Sequence, residues 1–410
     1  MSAADAAPRG ALEGLRVIDL TQMLAGPFCT MMLADQGAEV IKVEPLDGDG
    51  TRQIGPFHPR DDLRAFTGYF QSVNRNKFSV ALDLKRPQGR EIFFKLIDTA
   101  QVVVENYRAG VMERLGLAYE TLRERNPRIV YASIRGFGDP HTGKSPYLNW
   151  PAFDVVAQAV GGIMAITGPD ADTPTKVGPG VGDIVPAIMA AYGILAAVRH
   201  AERTGTGQYV DVGMVDGVLS MCERILHQYS YGGIVPGPEG NRHPFLAPFG
   251  LLPARDGSIA LACHADEFWT RLCEKLGCPQ LARDPRFASR ELRAANQNAL
   301  YEEIGGLTQK STRRELMDLL GGHVPFGPVF DVSDIVADPH FRGRDMVVEL
   351  DHPGVDEKLA IAGVPVRLSA TPGGIRRRAP LLGEQTDDVM QSLGFSATEI
   401  ERLRAERVVR

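Results

Sequence analysis

Within the first 135 residues, short apolar runs alternate with stretches of helical periodicity, and this alternation constrains the fold more than any other feature. Residues 15–21 (LRVIDLT) read as a short buried strand. From Pro27 to Gln36 the apolar residues Phe28, Met31, Met32 and Leu33 fall at helical spacing, and Gly37 supplies a stop. Residues 40–44 (VIKVE) return to a strand. Strand, helix and strand in about 30 residues imply a parallel pair joined by a right-handed crossover. The pattern recurs with a strand at 78–84, Pro87 where a first helical turn tolerates it, an apolar stripe over 90–100 and a strand at 102–105. A helix around 119–125 and a strand at 129–134 complete it. The expected fold class is α/β, with a doubly wound, Rossmann-like domain.

Residues 153–201 read as helical, with a loop over 168–182 between two segments. A strand follows at 208–214, and then a helix to about residue 229. Residues 232–250 hold five glycines and four prolines in 19 positions, the mark of a linker or a site loop. Beyond it a smaller α/β unit is expected, with a strand at 258–262 and helices at 267–276 and 312–320. A strand at 359–368 and helices at 386–393 and 397–406 close the chain.

Bulk properties narrow the partners. A formal charge of −6 over 410 residues does not favour nucleic acid, although a local basic patch can still hold a phosphate-rich ligand. The five cysteines are scattered and form no CxxC pair, so neither a disulfide framework nor a metal site is expected. No stretch reaches about 18 uninterrupted apolar residues, and no membrane span is expected. The small, polar N-terminal segment (MSAADAAPRGALEG) reads as a disordered lead rather than a signal peptide, and a cytoplasmic location is expected.

The first strand–helix turn, TQMLAGP, carries only Gly26. A dinucleotide fingerprint needs several glycines for backbone to approach a pyrophosphate, so nicotinamide and flavin readings are weak. Asn74–Lys85 (NRNKFSVALDLK) and the ENYRAGVMERLGL stretch put Lys85, Arg108 and Arg114 just past two successive strands. Each is an ordinary solvated charge taken singly; together they suit a polyphosphate-facing sheet edge. In PTKVGPGVGDIVPAIMA, Gly178, Gly180 and Gly182 crowd a loop and Asp183 stands before a long apolar helix. The plain role for Asp183 is a helix N-cap. A catalytic carboxylate could use the same place, with neighbouring N–H groups stabilising an oxyanion. His243, in the Gly/Pro-rich stretch, could reach a site, whereas Cys29 reads as packing.

These motifs coincide with a family. The ordered blocks LEGLRVIDLTQMLAGP, GAEVIKVEP, YFQSVNRNKFSVALDLK, VVVENYRAGVMERLGL, NPRIVYASIRGFG, FDVVAQAVGGIMAITG, GDIVPAIMAAYGILAAVRHAERTGTGQYVDVGM and APLLGEQTDDVM resemble the family III CoA-transferases, of the formyl-CoA transferase and carnitine-CoA transferase type. The resemblance runs from about Leu12 to the last helix. It implies that CoA moves from an acyl-CoA donor to a carboxylic acid through a covalent intermediate on Asp183, with Asp154 near the reacting centre. It implies CoA contacts at Gln22, Met23 and Ala25, at Leu82 and Lys85, and at Asn106, Tyr107, Arg108 and Arg114. Acyl-CoA and small carboxylic acids are then substrates, and no tightly bound cofactor is implied. The family's form is an interlocked homodimer, which places a large domain over 1–220 with 350–410 and a small one over 251–325, joined by linkers at 221–250 and 326–349.

Three departures from the formyl-CoA transferase pattern leave the acid substrate open: Pro45 for a basic residue, Gln22 for a histidine, and NRHPFLAPFG for a glycine-rich loop. The related α-methylacyl-CoA racemases carry a histidine beside the aspartate in a GHDINY-like stretch. Here Phe153 precedes Asp154, and phenylalanine moves no proton.

Overall fold

The computed structural model describes residues 10–410, and the first nine residues of the N-terminal lead lie outside the described part. In chain order the elements begin β1 (Arg16–Asp19), α1 (Ala25–Asp35), β2 (Glu39–Glu44), α2 (Gly68–Asn74), β3 (Phe78–Ala81), α3 (Pro87–Thr99) and β4 (Val102–Glu105). They continue with α4 (Val111–Arg114), α5 (Tyr119–Arg125), β5 (Val130–Arg135), α6 (Asp154–Val160), α7 (Val181–Thr204), β6 (Tyr209–Gly213), α8 (Met214–Met221) and α9 (Ile225–Gly232). Six strands form one parallel sheet in the order β3-β2-β1-β4-β5-β6. The order reverses beside β1, so the loops after β1 and β4 open a crevice at the carboxyl edge, where α/β sheets bind ligands.

Hydrophobic layers cover both faces of this sheet. On one face Ile92, Phe93, Leu96 and Ile97 of α3 and Leu122 of α5 pack with Ile18, Ile41, Val80 and Val103 of the strands. Met390, Ile400 and Leu403, from two later helices, complete that core. On the other face α7 packs against α1, β5 and β6. Its buried stripe is mostly alanine (Ala187, Ala190, Ala191, Ala197 and Ala201), which lets the neighbouring backbones come close. Among the described residues α7 is the one helix long and apolar enough to cross a membrane, with 39% of its apolar window buried.

The remaining elements are β7 (Phe249–Ala254), β8 (Gly257–Ala262), α10 (Asp266–Lys275), α11 (Arg290–Ala295), α12 (Gln297–Thr308), α13 (Arg313–Leu320), β9 (Phe326–Pro328), α14 (Val332–Ala337) and α15 (Pro339–Gly343). After them come β10 (Val347–His352), β11 (Val355–Ala362), α16 (Thr386–Ser392) and α17 (Ala397–Ala405). The chain divides into two compact units, one of Met1–Ile163, Val177–His227 and Pro339–Arg410, the other of Met164–Lys176 and Gln228–Asp338. The second unit has its own antiparallel sheet, β7-β8-β9, and its own core, which includes Cys263, Cys273 and Cys278. All five cysteines are free and buried.

Several local expectations shift. The 359–368 strand is β11, which stops at Ala362 and pairs antiparallel with β10 through a turn at Gly354. Pro365 ahead lacks the N–H that a longer ladder would need. The segments expected as linkers carry structure: 221–250 holds α9 and the start of β7, and 326–349 holds β9, α14 and α15. Met164–Lys176, expected in the large domain, groups with the second unit.

Beneath the β1–α1 turn lies a fully buried set of charges. The Lys77 ammonium donates to Asp19 at 2.9 Å, to Asn74 Oδ1 at 2.9 Å and to the Pro27 carbonyl at 3.0 Å. Lys42 lies 3.0 Å from Asp49 and donates to the Thr21 carbonyl at 2.7 Å. Asp19 also accepts from the Thr21 N–H and from the Thr30 hydroxyl. Burial alone would raise the Asp19 carboxyl, but the charges of Lys77 and Lys42 override it and hold the group down at about 2. Lys77→Met leaves that carboxylate buried without its main partner, so chemical denaturation should show a loss of roughly 3–5 kcal/mol. A cost no larger than that of an exposed lysine substitution would refute this role.

Candidate active site

The crevice at the sheet reversal is shaped first by the β1–α1 turn. Met23 takes a left-handed conformation (φ 68°), which a non-glycine residue holds only when its surroundings fix it. A Cβ on Gly26 would lie 2.2 Å from the Thr21 Cβ, so this glycine lets α1 start against the turn rather than cradling a phosphate. The loop after β4 locks onto the same turn: the Gln22 N–H donates to Asn106 Oδ1 at 2.9 Å, and Asn106 Nδ2 donates to the Gln22 carbonyl at 2.7 Å. The two loops at the switch point are therefore joined by a reciprocal pair of hydrogen bonds.

The second wall is the start of α7. Asp183 is not its N-cap, contrary to the plainest sequence reading. Gly180 occupies the cap position without a side-chain bond, and Asp183 sits in the first turn. The capping is done by Asp154, the first residue of α6, whose Oδ1 accepts the Gly182 N–H at 2.8 Å. Gln158 Nε2 holds both Asp154 oxygens, at 3.0 and 2.9 Å, and its own Oε1 accepts the Val177 N–H. A Cβ on Gly182 would lie 2.5 Å from the Asp154 carbonyl oxygen, so only glycine allows α6 and α7 this close. The glycines thus serve helix packing at Gly182, while nothing lies within 4 Å of the added Cβ at Gly178.

Asp154 leaves Asp183 free of capping. The Asp183 carboxyl has no hydrogen-bond or ion-pair partner among the described residues, and it lines a cavity of about 460 Å³. Burial, and then the negative charge of Asp154, push it up to about 7. It is therefore only part ionised at neutral pH. The first-turn N–H groups of α7 are all engaged: Val181 donates to Pro179, Gly182 to Asp154, and Asp183 and Ile184 to Gly180. They are not available to an oxyanion, which removes one expectation drawn from the sequence.

The same cavity is lined by Gln22, Met23, Ala25, Asn106, Tyr107, Arg108 and Arg114, so seven of the sequence-predicted contact residues meet Asp183 in one place. Leu82 and Lys85 lie instead in an adjoining cavity of about 760 Å³, of which Gln22 and Tyr107 are also walls. Asp154 acts through α7. Phe153 beside it brings no proton-transfer group to the cavity. Arg108 and Arg114 have no carboxylate partner among the described residues, and Gly110 (φ 81°) carries the loop past Arg114. Arg135, also in the wall, is held by Glu105 at 2.6 Å and by Asp139.

Sequence reasoning missed Tyr69, Trp150 and Arg135 in this cavity, and Arg404, Arg407 and Arg410 in the next. Tyr69 opens the YFQSVN block, a signal that was available. Burial, then the charges of Asp183, Asp49 and Asp154, raise its hydroxyl to about 12, so it stays a neutral donor. His243 belongs to the second unit, where its ring packs on Phe245 and Phe249. Cys29 is buried and its thiol is pushed up, chiefly by burial, so it is inert as a nucleophile.

The raised Asp183 carboxyl has a stability signature. Its native pKa, about 7, exceeds the ordinary 3.8, so the folded chain binds more protons between those values and stability falls as pH rises through that window. Asp183→Asn should raise the thermal midpoint by a few degrees at about pH 8, with the gain vanishing near pH 4. A gain independent of pH would contradict the assignment.

The sequence profile of CoA-transferase family III matches residues 12–386. The chain is 50% identical over 388 residues to a succinyl-CoA:mesaconate CoA-transferase of Haloarcula hispanica, covering 94% of this chain and 97% of that protein. It is 39% identical over 384 residues to an acetyl-CoA:oxalate CoA-transferase of Acetobacter aceti, covering 93% and 95%. Among solved structures, a CaiB/BaiF family protein of Brucella suis superposes with a TM-score of 0.83 at 35% identity, covering 94% of this chain and all of that one. The family profile spans nearly the whole chain, the relatives are similar along nearly their full length, and the chain belongs to CoA-transferase family III.

Proposed function

We propose that the protein transfers CoA from succinyl-CoA, or a similar short acyl-CoA, to a small dicarboxylic acid through a covalent intermediate on Asp183. The observation that carries this is the Asp183 carboxyl itself, half-buried in the wall of a cavity with two arginines, where none of the three has an ion-pair partner among the described residues. The acid class follows from the relatives, whose names specify succinyl-CoA with mesaconate and acetyl-CoA with oxalate.

The Asp183 carboxylate attacks the thioester carbonyl, the C–S bond breaks, and CoA leaves as thiolate while a mixed anhydride forms. The thiolate then attacks the Asp183 carbonyl, the anhydride C–O bond breaks, and the donor acid leaves as carboxylate. An aspartyl-CoA thioester remains. The acceptor carboxylate reverses both steps, yielding the new acyl-CoA and the original Asp183 carboxylate. No proton is gained or lost in the cycle, so no general acid is required, and Phe153 beside Asp154 is no handicap. Gln22, Met23, Ala25, Asn106 and Tyr107 line the path of the pantetheine arm, and Arg108 and Arg114 meet the pyrophosphate. An anhydride must also be kept from water.

Intact-protein mass spectrometry after mixing with succinyl-CoA should show a CoA adduct on the Asp183 peptide, absent in Asp183→Asn. The rate of adduct formation should rise with pH to a plateau, with a midpoint near 7, because only the ionised carboxyl attacks. Asp154→Asn keeps a capping oxygen but removes a negative charge, so it should move that midpoint down. Full transfer activity in Asp183→Asn, or a flat pH profile, would defeat the mechanism.

The working form we propose is an interlocked homodimer in the cytoplasm, with the first unit as the large CoA-binding domain and the second as the small one. In the first unit, α6, α7 and α8 pack together yet leave Val155, Val160, Ile188, Tyr192 and Leu219 exposed, Tyr192 by 76%. Such a layer suits burial against a second copy. Sedimentation should give twice the chain mass, and Ile188→Glu with Tyr192→Glu should reduce it to one chain; an unchanged monomeric mass in the parent protein would exclude the dimer.

A further inference from the structure

We infer that Arg407 and Arg410, with Arg404 and Lys85, form a seat for a phosphomonoester dianion, the 3′-phosphate at the nucleotide end of CoA; this rests on the CoA-transfer reading above. CoA is long, with its thiol at one end and its phosphorylated nucleotide at the other. The cavity holding Asp183 adjoins the larger one, and Gln22 and Tyr107 are walls of both. The three arginines line only that second space. Arg108 and Arg114 line the first, which puts them on the near part of the ligand and the tail arginines on its terminal phosphate.

The tail is built into the sheet rather than draped over it. After α17 the backbone turns at Arg407 in a left-handed conformation (φ 55°). Val408 and Val409 are then buried, and Val409 pairs antiparallel with Leu82 beyond β3. The Asp83 N–H donates to the Val408 carbonyl at 2.9 Å, and the Arg410 N–H to the Ala81 carbonyl at 3.3 Å. Two apolar anchors and two strand-like bonds thus fix the arginines beside Lys85. A non-glycine residue adopts the Arg407 conformation only where its neighbours impose it.

Charge accounting favours an anion. Arg404 is committed to Asp387 and Glu401, and Arg410 reaches the Leu46 carbonyl at 3.4 Å. Arg407 and Lys85 have no carboxylate partner among the described residues. Of the acids in the wall, Glu44 is neutralised by Arg52 at 2.7 Å and Asp83 lies 3.6 Å from Arg86, which leaves Asp47. Pro45, in the same wall, brings no charge. A phosphomonoester, doubly charged near neutral pH, matches such a cluster of guanidinium groups.

The test compares CoA with 3′-dephospho-CoA on the full-length protein. Calorimetric titration should show the parent protein binding CoA about tenfold or more tightly than the dephospho form. Arg407→Gln with Arg410→Gln should abolish that preference by weakening CoA alone. In turnover the same variant should raise KM for the acyl-CoA with kcat unchanged and leave the dephospho substrate unaffected. Lysine at both positions should restore most of the preference, and Lys85→Ala should lower it if the glutamine pair fails to fold. Equal binding of the two ligands by the parent protein, or equal weakening of both in the variant, would overturn the inference. A preserved preference with no Asp183 adduct would strike the catalytic reading alone.

Discussion

Four side chains that never meet solvent, Asp19, Lys42, Asp49 and Lys77, hold up the carboxyl edge of the sheet. They tie β1, β2 and the segment before β3 to one turn, and each charge faces an opposite one, Lys77 with Asp19 and Lys42 with Asp49. An isolated charge in this position would be ruinous; as alternating signs they bind the Thr21 carbonyl, the Thr21 N–H and the Pro27 carbonyl from below. The left-handed Met23 and the Gln22–Asn106 pair rest on that base. What a ligand meets at the surface is thus set by charges one layer beneath.

The start of α7 solves a conflict between two uses of an aspartate. A helix N-terminus attracts carboxylates, and a residue that caps it is engaged and stabilised as the anion. A nucleophile needs the reverse. Here the two tasks fall to different residues: Asp154 takes the Gly182 N–H, and Asp183 is left exposed to the cavity and to the repulsion of its neighbour. The carboxyl is more basic as a result, and the pH range in which it is charged is narrower.

Much of the first unit was legible because periodicity is local. β1 through β5 and α3 follow from apolar spacing, and Pro87 does mark the first turn of α3. What escaped was non-local. The β10–β11 hairpin is half exposed along its length, so its period carries little apolar contrast. The capping of α7 joins residues 28 apart through the packing of α6, which no local pattern encodes. The arginines after α17 read as an ordinary charged helix end, since Leu82, which gives them a place, comes from the other end of the chain. Motif identity located Asp183 and the loops that face it; only the packed chain separates residues that touch the cavity from residues, like Asp154, that work through a helix.

Gly182 bears on how sequence change would be felt here. The distance between α7 and its cap is set by an atom that is absent, because any Cβ there would press on the Asp154 carbonyl. A single added methyl group would press on the Asp154 carbonyl and on buried Ala157 and push the first turn outward, moving the Asp183 carboxyl within the cavity. Sequence drift at Gly182 would therefore be felt at a residue that contributes no chemistry of its own.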